Sequence, residues 1–379
     1  MKAYYNKYEF NADNIDFTDF PLRETVFFDI ETTGFSPVHT KLYLIGCLYY
    51  DQKNKAFNTV QWFLDDNSNE RELILSFIEF IKNYKYIVHF NGEGFDIPYI
   101  THKCRLLGIE DSLSRIFSDL ESIDLYKICQ TLKNILKLPS LKQKAIEEFL
   151  GISRKDTLSG GELIKIYDEY LKNKTNNSLA LLILHNLDDI KGLVGLLEII
   201  KYKKLFDGSF DIHSISIENA GYAHKDNMQE AIIELSLNYT LPSRISGGNN
   251  IFYMTAFDNK AKLKIAVYTN ELKFFYPNYK DYYYLPKEDC SIHKSVAFYV
   301  DKNFRTQAKA ANCYSKKTGR FLPQTAEIIS PYFKIEYNDK ITYFEITDEF
   351  LKDVANIKIY SLHILKTILH LKKGLSGNR

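Results

Sequence analysis

Thr25-Val26-Phe27-Phe28-Asp29-Ile30-Glu31 joins an apolar run to two acids spaced by one residue. Residues 24–30 read as a strand, and on a strand residues two apart share a face. Asp29 and Glu31 therefore project together while Ile30 points into the opposite layer. The following Thr32-Thr33-Gly34-Phe35-Ser36-Pro37 ends the strand in a turn, which leaves the acidic pair at a strand end open to a ligand.

Working outward, residues 41–50 and 57–63 have the same Val, Ile, Tyr and Phe enrichment, separated by the polar turn Asp51-Gln52-Lys53-Asn54-Lys55, and predict a three-strand meander. Leu73, Ile74, Phe77, Ile78 and Ile81 recur at helical spacing within 69–83, and Tyr86-Ile87-Val88-His89-Phe90 follows as a short strand. A helical crossover implies that this fourth strand pairs parallel with an earlier one. Helices are expected at 95–107, 124–135, 141–149, 160–172 and 178–203, with Ser159-Gly160-Gly161-Glu162 as a capping box. The sum is α/β, a mixed sheet flanked by helices. After about residue 206 come Tyr/Phe-rich segments (251–257, 262–269, 272–276, 332–337, 341–346) and one late helix near 348–371. Two domains are expected, 1–205 and an α+β domain over 206–379.

Composition bounds the chemistry. The 379 residues are 45% hydrophobic and 26% charged, enough to bury a substantial core. No apolar run reaches transmembrane length and the first residues lack a signal-peptide core, so a cytoplasmic protein without membrane association is expected. The five cysteines are odd in number and form no CxxC pair, which argues against a disulfide framework or a zinc site. Net charge is +1, but Lys+Arg against Asp+Glu is 26 to 29 through Phe206 (−3) and 23 to 19 beyond it (+4). The small basic excess of the second half permits phosphate contact.

Two further acidic segments join the first. Asp96 closes Asn91-Gly92-Glu93-Gly94-Phe95-Asp96 at a helix start, and His185 and Asp189 stand four apart on an apolar helix, hence on one face. Asp188 is three from His185, so spacing alone does not choose between the two acids. Four converging carboxylates repel by several kcal/mol each at an effective dielectric near 20. Two divalent cations cancel that charge, and oxygen donors suit Mg²⁺ or Mn²⁺. A histidine near such a site is suited to accept the proton of an attacking water. The chemistry indicated is phosphodiester hydrolysis.

At these residues the chain resembles the DEDD superfamily of 3′→5′ exonucleases, and within it most the YprB-like RNase H-like group of bacterial proteins. Phe28-Asp29-Ile30-Glu31-Thr32-Thr33-Gly34 is similar to the first motif, Asn91 to Asp96 to the second, and His185-Asn186-Leu187-Asp188-Asp189 to the third. The resemblance covers about residues 24–200 and implies an RNase H-like fold, removal of nucleotides from a single-stranded DNA or RNA 3′ end, Asp29, Glu31, Asp96 and Asp189 as ligands of two metal ions, and Thr32, Asn91 and Phe95 as substrate contacts. The family carries either Tyr four residues before the last Asp or His five before it. Here His185 stands four before Asp189, so the tyrosine register is kept with the residue exchanged, and that register favours Asp189 over Asp188. An RNase H-like endonuclease and a catalytically silent nucleic-acid-binding protein are the rival readings.

In the second half, Lys302, Arg305, Lys309, Lys316, Lys317 and Arg320 fall within nineteen residues that contain no acid. The run is read as a basic face able to guide phosphates, with Lys302, Arg305, Lys316, Lys317 and Arg320 as substrate contacts. The Tyr/Phe/Lys segment 273–284 has a composition that can stack bases, although tyrosine-rich strands more often form half-buried sheet.

Overall fold

The computed structural model describes residues 1–8, 20–66, 70–110, 115–156, 158–219 and 228–371. Its contacts divide the chain into two compact units, one of residues 1–133 and 137–201, the other of 134–136 and 202–379.

The first unit is built on a six-stranded sheet: β1 (Lys2–Tyr8), β2 (Thr25–Thr32), β3 (Leu42–Asp51), β4 (Ala56–Phe63), β5 (Tyr86–His89) and β6 (Glu121–Asp124), in the spatial order β1-β4-β3-β2-β5-β6. β2, β3 and β4 form the antiparallel meander, and β5 pairs parallel with β2 through Thr25↔Tyr86, Val26↔Ile87 and Phe27↔Val88. Val26, Phe27 and Phe28 are fully buried because β2 lies inside the sheet with layers on both faces. Helix α1 (Glu70–Ile81) sets Leu73, Ile74, Phe77, Ile78 and Ile81 into this core, and the Phe28 and Phe77 rings lie 5.3 Å apart. Helix α2 (Asp96–Leu106) follows β5 directly.

After a short helix (α3, Ile116–Asp119) and β6 come α4 (Leu125–Leu136), α5 (Gln143–Phe149), α6 (Gly160–Asn173), α7 (Asn176–Leu196) and α8 (Ile199–Asp207). The capping box exists: Glu162 Oε2 accepts from the Ser159 amide at 2.8 Å. The single helix expected over 178–203 is two, α7 and α8. Gly192 and Gly195 weaken the end of α7, and the bonds from Leu197 N–H to Val194 C=O and from Glu198 N–H to Gly195 C=O are of the tighter i→i−3 kind that ends a helix. β1 and β6 were not expected. Both are edge strands, and Glu121-Ser122-Ile123-Asp124 is too short and polar to give a strand signal on its own.

The second unit is sheet-rich, with an antiparallel sheet of 211–219, 229–248 and 252–266, a four-stranded sheet of 268–275, 314–324, 342–345 and 332–333, a small sheet of 282–285, 290–293 and 306–307, and a closing helix Val354–Leu369. The twenty-residue strand 229–248 was not expected, because Pro242 interrupts its pattern. Register shifts between Ser236 and Leu241 and between Leu241 and Ile245 take the proline out of the ladder.

At the end of β5, His89 is 1% exposed; its Nδ1 accepts from the Gly92 amide at 3.0 Å and its Nε2 lies 2.9 Å from Ser122 Oγ. Burial lowers its pKa from 6.5 to about 4, against the pull of Asp124 and Glu93. His89 is thus neutral in the folded protein while it titrates in the unfolded chain. The stability it allows is complete above pH 6.5 and falls as pH drops toward 4, by about 3 kcal/mol. His89→Asn keeps an acceptor near the Gly92 amide without a titrating ring. Urea denaturation of His89→Asn at pH 4.5 and pH 7 is expected to show a smaller pH difference than the native protein, and an equal difference would assign the acid sensitivity to other groups.

Candidate metal centre

Three elements of the first unit bring the acids together. β2 presents Asp29 and Glu31 on one face, with Ile30 buried on the other at 6% exposure. Asp96 opens α2, is 6% exposed, and its Oδ1 accepts from the Ile30 amide at 3.3 Å, which ties it to the backbone between the two β2 acids. α7 supplies His185 and Asp189, whose Nε2 and Oδ2 are 3.2 Å apart; Nε2 is also 3.5 Å from Glu31 Oε1. One ligand atom each from Glu31, His185 and Asp189 lie within 4.8 Å of one another.

The neighbouring acid faces elsewhere. Asp188 Oδ2 accepts from the amides of Lys155 and Asp156 at 3.0 and 2.8 Å, so it anchors the loop that carries Arg154 and Asp156. That loop reaches back: Asp156 Oδ2 lies 2.7 Å from His185 Nδ1, and Arg154 Nη2 donates to Asp189 Oδ1 at 2.6 Å while Nη1 binds both oxygens of Glu147 at 3.0 and 3.1 Å. His185 thus turns Nδ1 to Asp156 and Nε2 to Glu31 and Asp189.

Asp29 is held by a relay from two other elements. Asn186 of α7 donates to Asp29 Oδ2 at 3.0 Å, and Gln61 of β4 donates to Asn186 Oδ1 at 2.8 Å. The relay occupies the space above Gly46, the β3 partner of Asp29, where an added Cβ would stand 1.9 Å from Asn186 Oδ1. Gly46→Ala is expected to push Asn186 off Asp29 and to cost about 1–3 kcal/mol by overpacking, with hydrolytic activity falling along with it. Thermal melting together with an activity assay checks this; a fully active, equally stable variant would show that the relay is dispensable.

The electrostatics are those of crowded carboxylates. Burial raises Asp29 well above the usual carboxylate range, with Asp189, Glu31 and Asp96 adding to it, and Glu31 is raised well above that range by burial, Asp189 and Asp96. Asp96 is pushed up to about 7, chiefly by burial. The cation among these acids, Arg154, is shared between Asp189 and Glu147. Carboxylate oxygens whose negative charge lacks a matching cation fit Mg²⁺ or Mn²⁺, and one imidazole at the rim is compatible with either.

The other residues expected at the site have mixed placements. Thr32 donates to the Gly34 carbonyl at 2.8 Å within the turn. Asn91 has a left-handed backbone (φ 62°) and its amide donates to Asp124 at 2.9 Å, so it shapes the turn before Asp96. Phe95 packs edge-on against Phe35, with ring centroids 5.9 Å apart, and Phe35 is 90% exposed. The basic run of the second unit is not one unopposed face. Lys316 pairs with Asp289 at 2.5 Å and with Glu271 at 3.4 Å, Lys317 pairs with Glu345 at 2.5 Å, and Arg305 lies over the Tyr283 ring at 4.9 Å. Lys316 and Lys317 are consecutive on one strand and so point to opposite faces. Acids far away in sequence neutralise them, which a local charge count does not see. Lys302 and Arg320 remain exposed. The sequence reading missed Arg154, Asp156, Glu147 and Gln61, which lie outside the motifs; Asn186 stood inside the third motif between His185 and Asp189.

Residues 26–201 match the model of the RNase_H superfamily. A DNA polymerase of Methanocaldococcus jannaschii is 26% identical over 141 residues, 31% of this chain and 9% of that protein. Among solved structures, the family B DNA polymerase of Pyrobaculum calidifontis is similar with TM-score 0.39 and 20% identity over 50% of this chain and 25% of the polymerase. E. coli exonuclease I in complex with a dT13 oligonucleotide is similar with TM-score 0.32 and 13% identity over 62% of this chain and 55% of the other. The chain thus spans only a small part of the polymerases and about half of exonuclease I. No helix among the described residues is long and apolar enough to cross a membrane.

Proposed function

We propose that the chain is a metal-dependent 3′→5′ exonuclease acting on single-stranded nucleic acid, with residues 1–205 as the exonuclease domain and 206–379 as an accessory domain that contacts nucleic acid. The observation that carries the reading is the convergence of Asp29, Glu31, Asp96 and Asp189 from β2, α2 and α7, together with the His185–Asp156 pair at its edge. The exonucleolytic polarity rests only on the resemblance of the three motifs to those of the DEDD exonucleases; the residue pattern itself argues for phosphodiester hydrolysis.

Asp29, Glu31, Asp96 and Asp189 would hold two Mg²⁺ or Mn²⁺ ions, which when bound supply charge stabilisation to the attacking and leaving oxygens of a phosphoryl displacement. The remaining work belongs to the side chains. Asp156 fixes the His185 tautomer, so Nε2 is the atom that receives the proton of the attacking water. Arg154 holds Asp189 in place, and the Gln61–Asn186 relay does the same for Asp29. The exposed Phe35 and its partner Phe95 offer an aromatic surface to the terminal base. Lys302, Arg305, Lys316, Lys317 and Arg320 contact phosphates in this reading, with the ion pairs of Lys316 and Lys317 limiting their share.

The test is degradation of 5′-labelled DNA and RNA oligonucleotides and of a circular single strand, in Mg²⁺, Mn²⁺ or EDTA. A metal-dependent ladder shortening from the 3′ end, with the circle intact, is expected. Cleavage of the circle would favour the endonuclease, and no cleavage of any strand would favour the silent binding protein.

A further inference from the structure

On the first unit, a recess of about 520 Å³ opens between α2 and the 115–122 segment. Ile97, Thr101 and Arg105 line it from one face of α2, since residues four apart on a helix are neighbours. Arg115 and Ser118 line it from the other side. No side-chain hydrogen bond or ion pair among the described residues engages the guanidinium of Arg105 or Arg115. Both are exposed, whereas Arg154 in the same unit is paired with Glu147 and Asp189. The lining acid, Glu93, is already taken by Lys127 and by Ser122 Oγ, the latter at 2.6 Å. Two free guanidinium forks and hydroxyls in one concavity form a receptor for a phosphate group.

We propose that this recess holds a phosphodiester of the strand whose 3′ end lies at the carboxylates, so that the substrate runs along α2. The inference rests on the exonuclease reading. Asp96 is the first residue of α2 and Arg105 the tenth, about 13 Å further along the axis. That distance is about four nucleotides of a helical strand, fewer if the strand is extended.

The experiment uses the full chain and the charge reversal R105E/R115E, with R105K/R115K as the conservative variant. Fluorescence anisotropy of 5′-fluorescein (dT)20 and (U)20 in EDTA, from 50 to 200 mM salt, is set beside Mn²⁺-dependent hydrolysis of the p-nitrophenyl ester of thymidine 5′-monophosphate, which is too short to reach the recess. R105E/R115E is expected to weaken binding of at least one 20-mer about tenfold or more, and to flatten log affinity against log salt by about 0.7 for the one phosphate the recess holds. Its melting temperature and ester hydrolysis stay unchanged, and the lysine variant keeps the salt slope. Unchanged affinity and slope for both 20-mers overturn the proposal. So does an equal loss for (dT)3, which would make the recess a site for small phosphates rather than for a strand. If the native protein hydrolyses neither ester nor oligonucleotide while the reversal still weakens 20-mer binding, the recess stands and the exonuclease reading falls.

Discussion

Asp29→Asn is expected to abolish metal-dependent hydrolysis, a loss on the order of 10³-fold, while leaving the metal-free protein more stable than the native one. Under the proposed two-metal reading, the activity loss follows from removing a ligand of ions that would contribute several kcal/mol of transition-state charge stabilisation. The gain in stability follows from the repulsion that raises Asp29 above the usual carboxylate range: burial first, then Asp189, Glu31 and Asp96. A carboxyl whose folded pKa is raised costs stability once pH exceeds its unfolded value, so the gain from Asn is largest at neutral pH and vanishes near pH 3. Asparagine also keeps an acceptor for the Asn186 amide. Saturating Mg²⁺ is expected to reverse the order of melting temperatures, since a ligand present at 100 times its Kd adds about 2.7 kcal/mol to the protein that binds it. An Asp29→Asn enzyme within tenfold of native activity, or one whose stability responds to Mg²⁺ as strongly as the native protein, would remove the four acids from the role assigned to them.

Arg154→Ala is expected to destabilise the first unit strongly. The guanidinium side chain is 9% exposed and bridges Glu147, whose side chain is 1% exposed, to Asp189. Removing it strands a buried carboxylate and returns Asp189 to the other acids without a counter-charge, which typically costs about 3–5 kcal/mol. At roughly 2–4 °C per kcal/mol, the melting temperature falls by on the order of 10 °C. Adding Glu147→Gln to Arg154→Ala is expected to recover part of the loss, because the stranded charge goes with it. Calorimetry of the two single variants and the double measures this directly. A shift below 2 °C for Arg154→Ala would show that water reaches Glu147 and that the clamp is not structural.

What was legible in the chain, and what was not, divides by range of interaction. The β2 acids, the α1 face and the parallel return of β5 follow from local periodicity, because each depends on residues within one or two turns or on a single crossover. Helix spacing alone did not choose between Asp188 and Asp189; only the register of the family resemblance favoured Asp189. What separates them is the 154–156 loop, more than thirty residues away, which engages Asp188 through backbone amides and Asp189 through Arg154. The basic run at 302–320 reads as a face in the sequence because the acids opposing it, Asp289, Glu271 and Glu345, come from other strands.

The sequence by itself determined the order of the acidic motifs and the α/β class of the first half. Those properties reside in residue type and short spacing, which the chain carries in any conformation. Only the tertiary structure decided which atoms meet: Asn186 filling the space left by Gly46, Asp156 behind His185, and Arg154 between Glu147 and Asp189. Each of these contacts joins segments with no periodic relation to one another, and their energies come from burial and charge pairing that exist only once the helices have packed on the sheet.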